Sequence, residues 1–221
     1  MPAVLVLDFD GTVIDTERPA FRAAAELWEA HGEQLTLELW SGRIGTHAEL
    51  NPFAELEQRL GRRLDPTLQE QRIARKNALT DEAQLNPGVL AWLDAAERRG
   101  IRVGIASSSP SSWVERNLVR LGLRDRFHCL ACFDDGIPAK PDPASDRHAV
   151  DVLGGDPRES VAVEDSEHGV TAARGAGLFT IAVPHDLTAH MDFSAADLVV
   201  PSLEALTLED ALTQARRRAS S

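Results

Sequence analysis

Apolar residues fall along this chain in two rhythms, and the change from one to the other divides it into parts. Continuous apolar runs of strand length recur at residues 3–7, in IRVGIAS (101–107), FHCLACF (127–133), SVAVED (160–165), LFTIAV (178–183) and DLVV (197–200). Between them stand segments of helical period. In PGVLAWLDAAERRG (87–100), Pro87 suits an early helical position, Leu90 and Leu93 share a face, and Gly100 suits the C-terminal stop. In PSSWVERNLVRLG (110–122), Val114, Leu118 and Leu121 follow an i, i+4, i+7 pattern that Gly122 ends. Strands alternating with helices predict an α/β fold, a parallel sheet with helices on both faces.

Residues 16–82 break the alternation. They hold only helical patterns, RPAFRAAAELWEAHG (18–32), HAELNPFAELEQRLG (47–61) and PTLQEQRIARKNAL (66–79), separated by Gly and Pro signals. The expectation is an all-helical insert over 16–82, dividing the α/β core into 1–15 and 83–221.

Composition narrows the function classes. With 43% hydrophobic and 26% charged residues in 221, the chain has the balance of an ordinary globular protein. No apolar run approaches the ~20 residues of a membrane helix. The run at 3–7 is shorter than the ~7–15-residue core of a signal peptide and has no basic residue before it. A cytoplasmic protein is expected, and, with no stripe suggesting dimerisation, a monomer. A net charge of −12 argues against nucleic acid as a partner, since phosphate-backbone affinity comes mainly from Lys and Arg. The run Arg216, Arg217, Arg218 follows a helical pattern and complements the negative end of a last helix. Cys129 and Cys132 read as buried thiols of a strand rather than a redox pair or half a zinc site.

In an open parallel sheet, ligands bind beyond the carboxyl ends of the strands. Those ends carry Asp8 and Asp10, then Ser107, Ser108 and Ser109, then Lys140 in AKPDP, then Glu164 and Asp165. Carboxylates so gathered repel unless a cation lies among them, and an all-oxygen set suits Mg2+ better than zinc or copper. Plainer readings stand beside this one. Asp8 and Asp10 are residue types that cap turns; Ser107 and Ser108 are rivals for one role and also suit helix capping; Lys140 could be a surface lysine; Glu164 could merely pair with it.

The stretches DFDGTVIDTE (8–17), ASSS (106–109), KPDP (140–143) and VEDSEHG (163–169), in that order and each at a strand end, resemble the motifs of the haloacid-dehalogenase-like hydrolase superfamily. The likeness is to the branch of beta-phosphoglucomutase and the sugar-phosphate phosphatases. It implies a Rossmann-like core with the insert as a helical cap, hinged at Asp15 and Thr16 and again over 81–86. Asp8 would be the nucleophile that forms an aspartyl-phosphate, and Asp10 the general acid and base. Ser107 would bind a transferring oxygen and Lys140 would neutralise charge. Mg2+ would be held by the Asp8 carboxylate, the backbone oxygen of Asp10 and Asp165, with Glu164 ligating directly or through water. Substrate contacts would come from Thr16, Arg43, Gly45, Thr46, His47, Lys76 and Ser108, although Arg43 and Lys76 also read as solvated helix positions.

Two departures from the mutase pattern matter. The family's histidine after the Asp-Thr pair is Ala20 here, and Gly45, Thr46, His47 and Ala48 stand where a cap arginine is expected. A mutase must hold and reorient a bisphosphate, so both losses favour a phosphatase acting on a small phosphorylated metabolite. The alternatives are a hexose-phosphate mutase, a non-catalytic or regulatory aspartyl-phosphate module, and a dehalogenase, which needs no metal and normally lacks the second aspartate.

Overall fold

The computed structural model describes residues 2–41, 44–45 and 51–220. Strands β1 (Leu5–Leu7), β2 (Val103–Ser107), β3 (Cys129–Cys132), β4 (Val161–Glu164), β5 (Phe179–Ala182) and β6 (Leu198–Val199) form one parallel sheet in the order β3-β2-β1-β4-β5-β6. Each is shorter than its apolar run, whose flanking residues turn off the sheet into loops. Leu5 pairs with both Val103 and Val161, so β1, β2 and β4 begin level with one another, and β2 and β4 run one or two residues past the end of β1. The chain runs from β1 to neighbours on both sides, and the reversal of strand order there opens a crevice at the carboxyl edge.

Helices α1 (Glu17–Glu29), α2 (Leu37–Ser41), α3 (Pro52–Leu60) and α4 (Pro66–Glu82) follow β1, and α5 (Val89–Arg98), α6 (Ser111–Arg120), α7 (Ala144–Leu153), α8 (Glu167–Gly175) and α9 (Leu208–Ala219) cover the sheet. Alternation along β1 assigns the two layers. Leu5 and Leu7 join Trp92, Leu93, Leu118 and Leu212 from α5, α6 and α9, while Val4 and Val6 join Ala149, Leu153 and Ala173 from α7 and α8. Three residues apart on β3, Cys129 and Cys132 fall into opposite layers, which rules out a bond between them. Arg216, Arg217 and Arg218 occupy the last turn of α9. Among the described residues no helix is long and apolar enough to cross a membrane.

The first four helices build a separate core from Trp28, Trp40, Phe53 and Leu56, and Trp28 donates its indole N–H to Pro52 O at 2.9 Å. Asn51 and Asp65 cap α3 and α4 by accepting from Phe53 N and Thr67 N, each with proline at the first helical position. The helix expected from His47 therefore starts at Pro52. Leu187, in the loop after β5, is buried among these same helical residues. The two chain crossings between insert and sheet lie side by side: Ile14 bridges Leu85, and the Asn86 side chain donates to Gly11 O at 2.6 Å and Thr12 O at 3.0 Å.

Candidate functional site

Asp8 leaves β1 directly, its N–H still donating to Val163 O of β4 at 3.0 Å. The chain then turns tightly: Gly11 N donates to Ile14 O, and Val13 N to Phe9 O. Gly11 has φ +82°, and a Cβ there would drive into the Asp165 carboxylate. Glycine is required on both counts. A Cβ at Gly169 would likewise meet the Glu164 carboxylate, so the glycine of VEDSEHG is what lets α8 start against that acid.

The strand ends deliver Asp8, Glu164 and Asp165, all buried, to one place where their nearest ligand oxygens lie within 4.8 Å of one another. Lys140, 1% exposed, sits beside them. Its ammonium donates to Asp8 Oδ1 at 2.6 Å, Glu164 Oε1 at 2.8 Å and Ala106 O at 2.7 Å, which uses all three of its protons. Lys140 is thus no surface lysine. Burial pulls its pKa down, but Asp8, Glu164 and Asp146 outweigh this and hold it above the ordinary lysine value. Burial pushes the Asp8 carboxyl up to about 7, against Lys140 and with help from Asp165. Glu164 is raised well above the carboxylate range, again by burial against Lys140, and burial lifts Asp146 to about 6.

Whether a divalent cation suits this cluster can be read from its unmet acceptors. Among the described residues, Glu164 Oε2 and Asp165 Oδ1 are buried without any hydrogen bond. Each such oxygen costs about 1–3 kcal/mol, more when ionised. One cation would satisfy both and offset the repulsion from Asp165 that adds to the effect of burial on Asp8. The donors are hard oxygens, so Mg2+ fits.

The Asp10 carboxylate lies outside this cluster of three. Its Oδ1 accepts from Thr16 Oγ1 at 2.6 Å and Trp113 Nε1 at 2.8 Å, and its Oδ2 from Ser109 Oγ at 2.5 Å. The hydroxyl proton of Thr16 is therefore committed to Asp10. Ser107 Oγ accepts from Ser109 N at 3.0 Å, leaving its own proton available. Ser108 Oγ donates to Gly45 O at 3.2 Å and accepts from Lys140 N at 3.1 Å.

These groups floor a cavity of about 440 Å³ whose opposite wall comes from α1, α2 and α4, with Ala20, Trp40, Arg72, Lys76 and Asn77. Lys76 is half-buried and lies over the Trp113 ring, 3.7 Å from its centroid. Gly45, with φ +79°, packs where a Cβ would strike the Ser166 hydroxyl, so its backbone lies close against the sheet rim. Arg43, Thr46 and His47 lie outside the described residues.

Sequence reasoning placed Ser109 at the rim without giving it a role, and passed over Trp113 and His185. His185 Nδ1 accepts from Leu187 N at 3.2 Å, so its proton is on Nε2, which donates to Asp165 Oδ2 at 3.0 Å. Burial lowers the His185 pKa, but the bond to Asp165 outweighs it and the net shift is upward. The only signal for Trp113 was its place in the first turn of a helix that begins at the rim.

Comparison with known proteins gives a consistent picture. A family model for haloacid dehalogenase-like hydrolases matches residues 2–177. YhcW of Bacillus subtilis, a candidate phosphatase by name, is 35% identical over 212 residues, 94% of this chain and 95% of that protein. Hexitol phosphatase B of Escherichia coli K12 is 31% identical over 227 residues, again 94% and 95%. Among solved structures, CbbY from Rhodobacter sphaeroides in complex with phosphate shares 29% identity at a TM-score of 0.74, covering 96% of this chain and all of that one.

Proposed function

The chain belongs to the haloacid dehalogenase-like hydrolase family and is a phosphatase, and from that premise we propose that it hydrolyses a small sugar or polyol phosphate through a phosphoaspartate on Asp8, with Mg2+ as cofactor. The observation that carries the proposal is the buried cluster of Asp8, Glu164 and Asp165 beside Lys140, with two acceptor oxygens left unmet and with Asp8 lining the cavity.

Asp8 attacks phosphorus in line, forming an Oδ–P bond as the ester oxygen leaves. Asp10 gives its proton to that oxygen and then takes one from the water that cleaves the acyl phosphate. Ser107, whose hydroxyl proton has no acceptor among the described residues, donates to a phosphoryl oxygen, whereas Ser108 is held by Gly45 and Lys140. Lys140 favours the ionised form of Asp8 and holds it in place. The Asp8 and Asp165 carboxylates and the Asp10 backbone oxygen would hold Mg2+, with Glu164 direct or through water, and the ion would supply the positive charge that lets an acidic site accept a phosphate. Residues 16–82 act as the cap that excludes water and selects the leaving group, with Lys76 and Gly45 among the contacts. Ala20, at the cavity wall, offers neither donor nor acceptor, which supports hydrolysis over mutase chemistry. The protein is read as a cytoplasmic monomer. A carbohydrate-phosphate class is supported by the hexitol phosphatase likeness.

The test is a panel of phosphorylated metabolites with and without EDTA. Release of phosphate that needs Mg2+ and is lost in Asp8→Asn is expected; release that survives either change overturns the proposal.

A further inference from the structure

Asp10 is the acid/base group of the proposed reaction, and its geometry depends on a residue that the family motifs do not contain. A carboxyl that must donate to a leaving oxygen and later accept from water has to keep its plane fixed in both states, since proton transfer requires hydrogen-bond reach of about 2.6–3.2 Å. Here both oxygens are tied. Ser109, just before α6, holds Oδ2, while Oδ1 is shared by Thr16 and by the indole N–H of Trp113 in the first turn of α6. Thr16 lies on the crossing into the helical insert. Trp113 belongs to the sheet layer and is half-buried in the cavity wall. Its ring carries Lys76 of α4 at 3.7 Å from the centroid. A cation over an indole is attracted by the ring's negative face and draws electron density from it, which strengthens the N–H as a donor.

We propose that Trp113 is a positioning residue for Asp10, and that Lys76, resting on the indole, makes this positioning depend on the helical insert lying over the site. The inference rests on the assignment of Asp10 as acid/base. It predicts a division of labour within one side chain: the N–H orients Asp10, while the ring face senses the insert. A general acid typically contributes 10²–10⁴-fold, and loss of one of three anchors should remove part of that.

Trp113→Phe separates the two functions, because it keeps a ring beneath Lys76 and removes only the N–H. Two probes are compared, glucitol 6-phosphate, an alkyl ester with a poor leaving group, and p-nitrophenyl phosphate, whose leaving group needs no proton. We expect kcat/KM for the alkyl ester to fall about 10–100-fold with less than about a threefold change for the aryl ester. Equal losses on both, or none, overturn the proposal.

A second measurement does not depend on turnover. The chain has four tryptophans, so the Trp113 indole N–H signal in a 1H–15N spectrum is the one missing from Trp113→Phe. Asp10→Asn should move it upfield, since a neutral amide oxygen is the weaker acceptor, and Lys76→Met should shift it as well. A signal unmoved by Asp10→Asn removes the hydrogen bond, and one unmoved by Lys76→Met removes the link to the insert. If the spectra change as expected while no phosphorylated metabolite of the panel is hydrolysed by the unaltered protein, the phosphatase reading fails and the Asp10–Trp113–Lys76 chain of contacts stands.

Discussion

Lys140→Met should show how far this fold depends on one buried cation. Lys140 holds Asp8 at 2.6 Å and Glu164 at 2.8 Å, and all three side chains are nearly inaccessible to solvent. At an effective dielectric constant of about 20, each contact is worth about 6 kcal/mol of Coulomb attraction, and desolvation cancels much of it. Removing one partner leaves carboxylates buried without compensation, for which about 3–5 kcal/mol is typical. Methionine keeps most of the volume, so cavity formation adds little. Proton uptake limits the loss. Burial already lifts Asp8 to about 7 and Glu164 well above its ordinary value while Lys140 holds both down, so the variant binds protons more readily still. A carboxyl with its folded pKa raised adds stability below its unfolded pKa and loses it as pH rises through the folded one. One extra proton bound by the folded variant between pH 7.5 and 5.5 would narrow its deficit by up to about 2.7 kcal/mol. Urea unfolding followed by tryptophan fluorescence in EDTA at both pH values reads these quantities. A deficit below about 1 kcal/mol at pH 7.5, or one that does not narrow at pH 5.5, would refute the reasoning.

Other expectations concern neighbouring elements. His185→Ala removes the donor that orients Asp165 and should weaken Mg2+ binding, measured by calorimetry, by about 10–100-fold; unchanged affinity would free Asp165 of any dependence on this histidine. Gly11→Ala places a methyl against Asp165 at a positive φ and should abolish Mg2+-induced thermal stabilisation. Trp92, whose N–H is shared by Leu203 O at 3.1 Å and Leu206 O at 2.9 Å, lies in the sheet layer away from the cavity. Trp92→Phe should cost about 2 kcal/mol and lower Tm by about 4–8 °C with turnover intact. Glu57 accepts from Leu64 N and Arg63, the backbone bond first, which lowers its pKa. Its contribution is present above the ordinary carboxylate pKa and lost as pH falls through the depressed one, so Glu57→Gln should destabilise the protein at pH 7 and progressively less as the pH is lowered through the acid range.

The sheet was legible because its signal is local. Each apolar run encodes its own burial, and a parallel sheet lines up whatever follows the strands, so Asp8, Ser107, Lys140, Glu164 and Asp165 could be named as neighbours before their distances were known. Strand ends were overrun, since an apolar residue leaving the sheet looks like one within it. Trp113 and His185 were not legible for a related reason. Their roles depend on which way a polar tip points once distant segments meet, and Trp113 meets Asp10 across 103 positions. An indole two residues into an amphipathic helix shows only its apolar body in the sequence pattern. Lys76 was open between solvent and substrate; its seat on Trp113 depends on how the insert lies over the sheet.

Leu187 completes the hydrophobic core of the inserted helices although it lies more than a hundred positions beyond them. Its neighbours in the chain have other attachments: His185 reaches Asp165, and Asp186 pairs with Arg18 at the start of α1. The insert is therefore not a cassette that can be exchanged at its two crossings. A chimera receiving a foreign insert would bring a socket shaped for another side chain, and adapting Leu187 to it would disturb the histidine two residues away. Recombination among such proteins is expected to transfer the insert and the loop after β5 together, and lineages that change one should show matched change in the other.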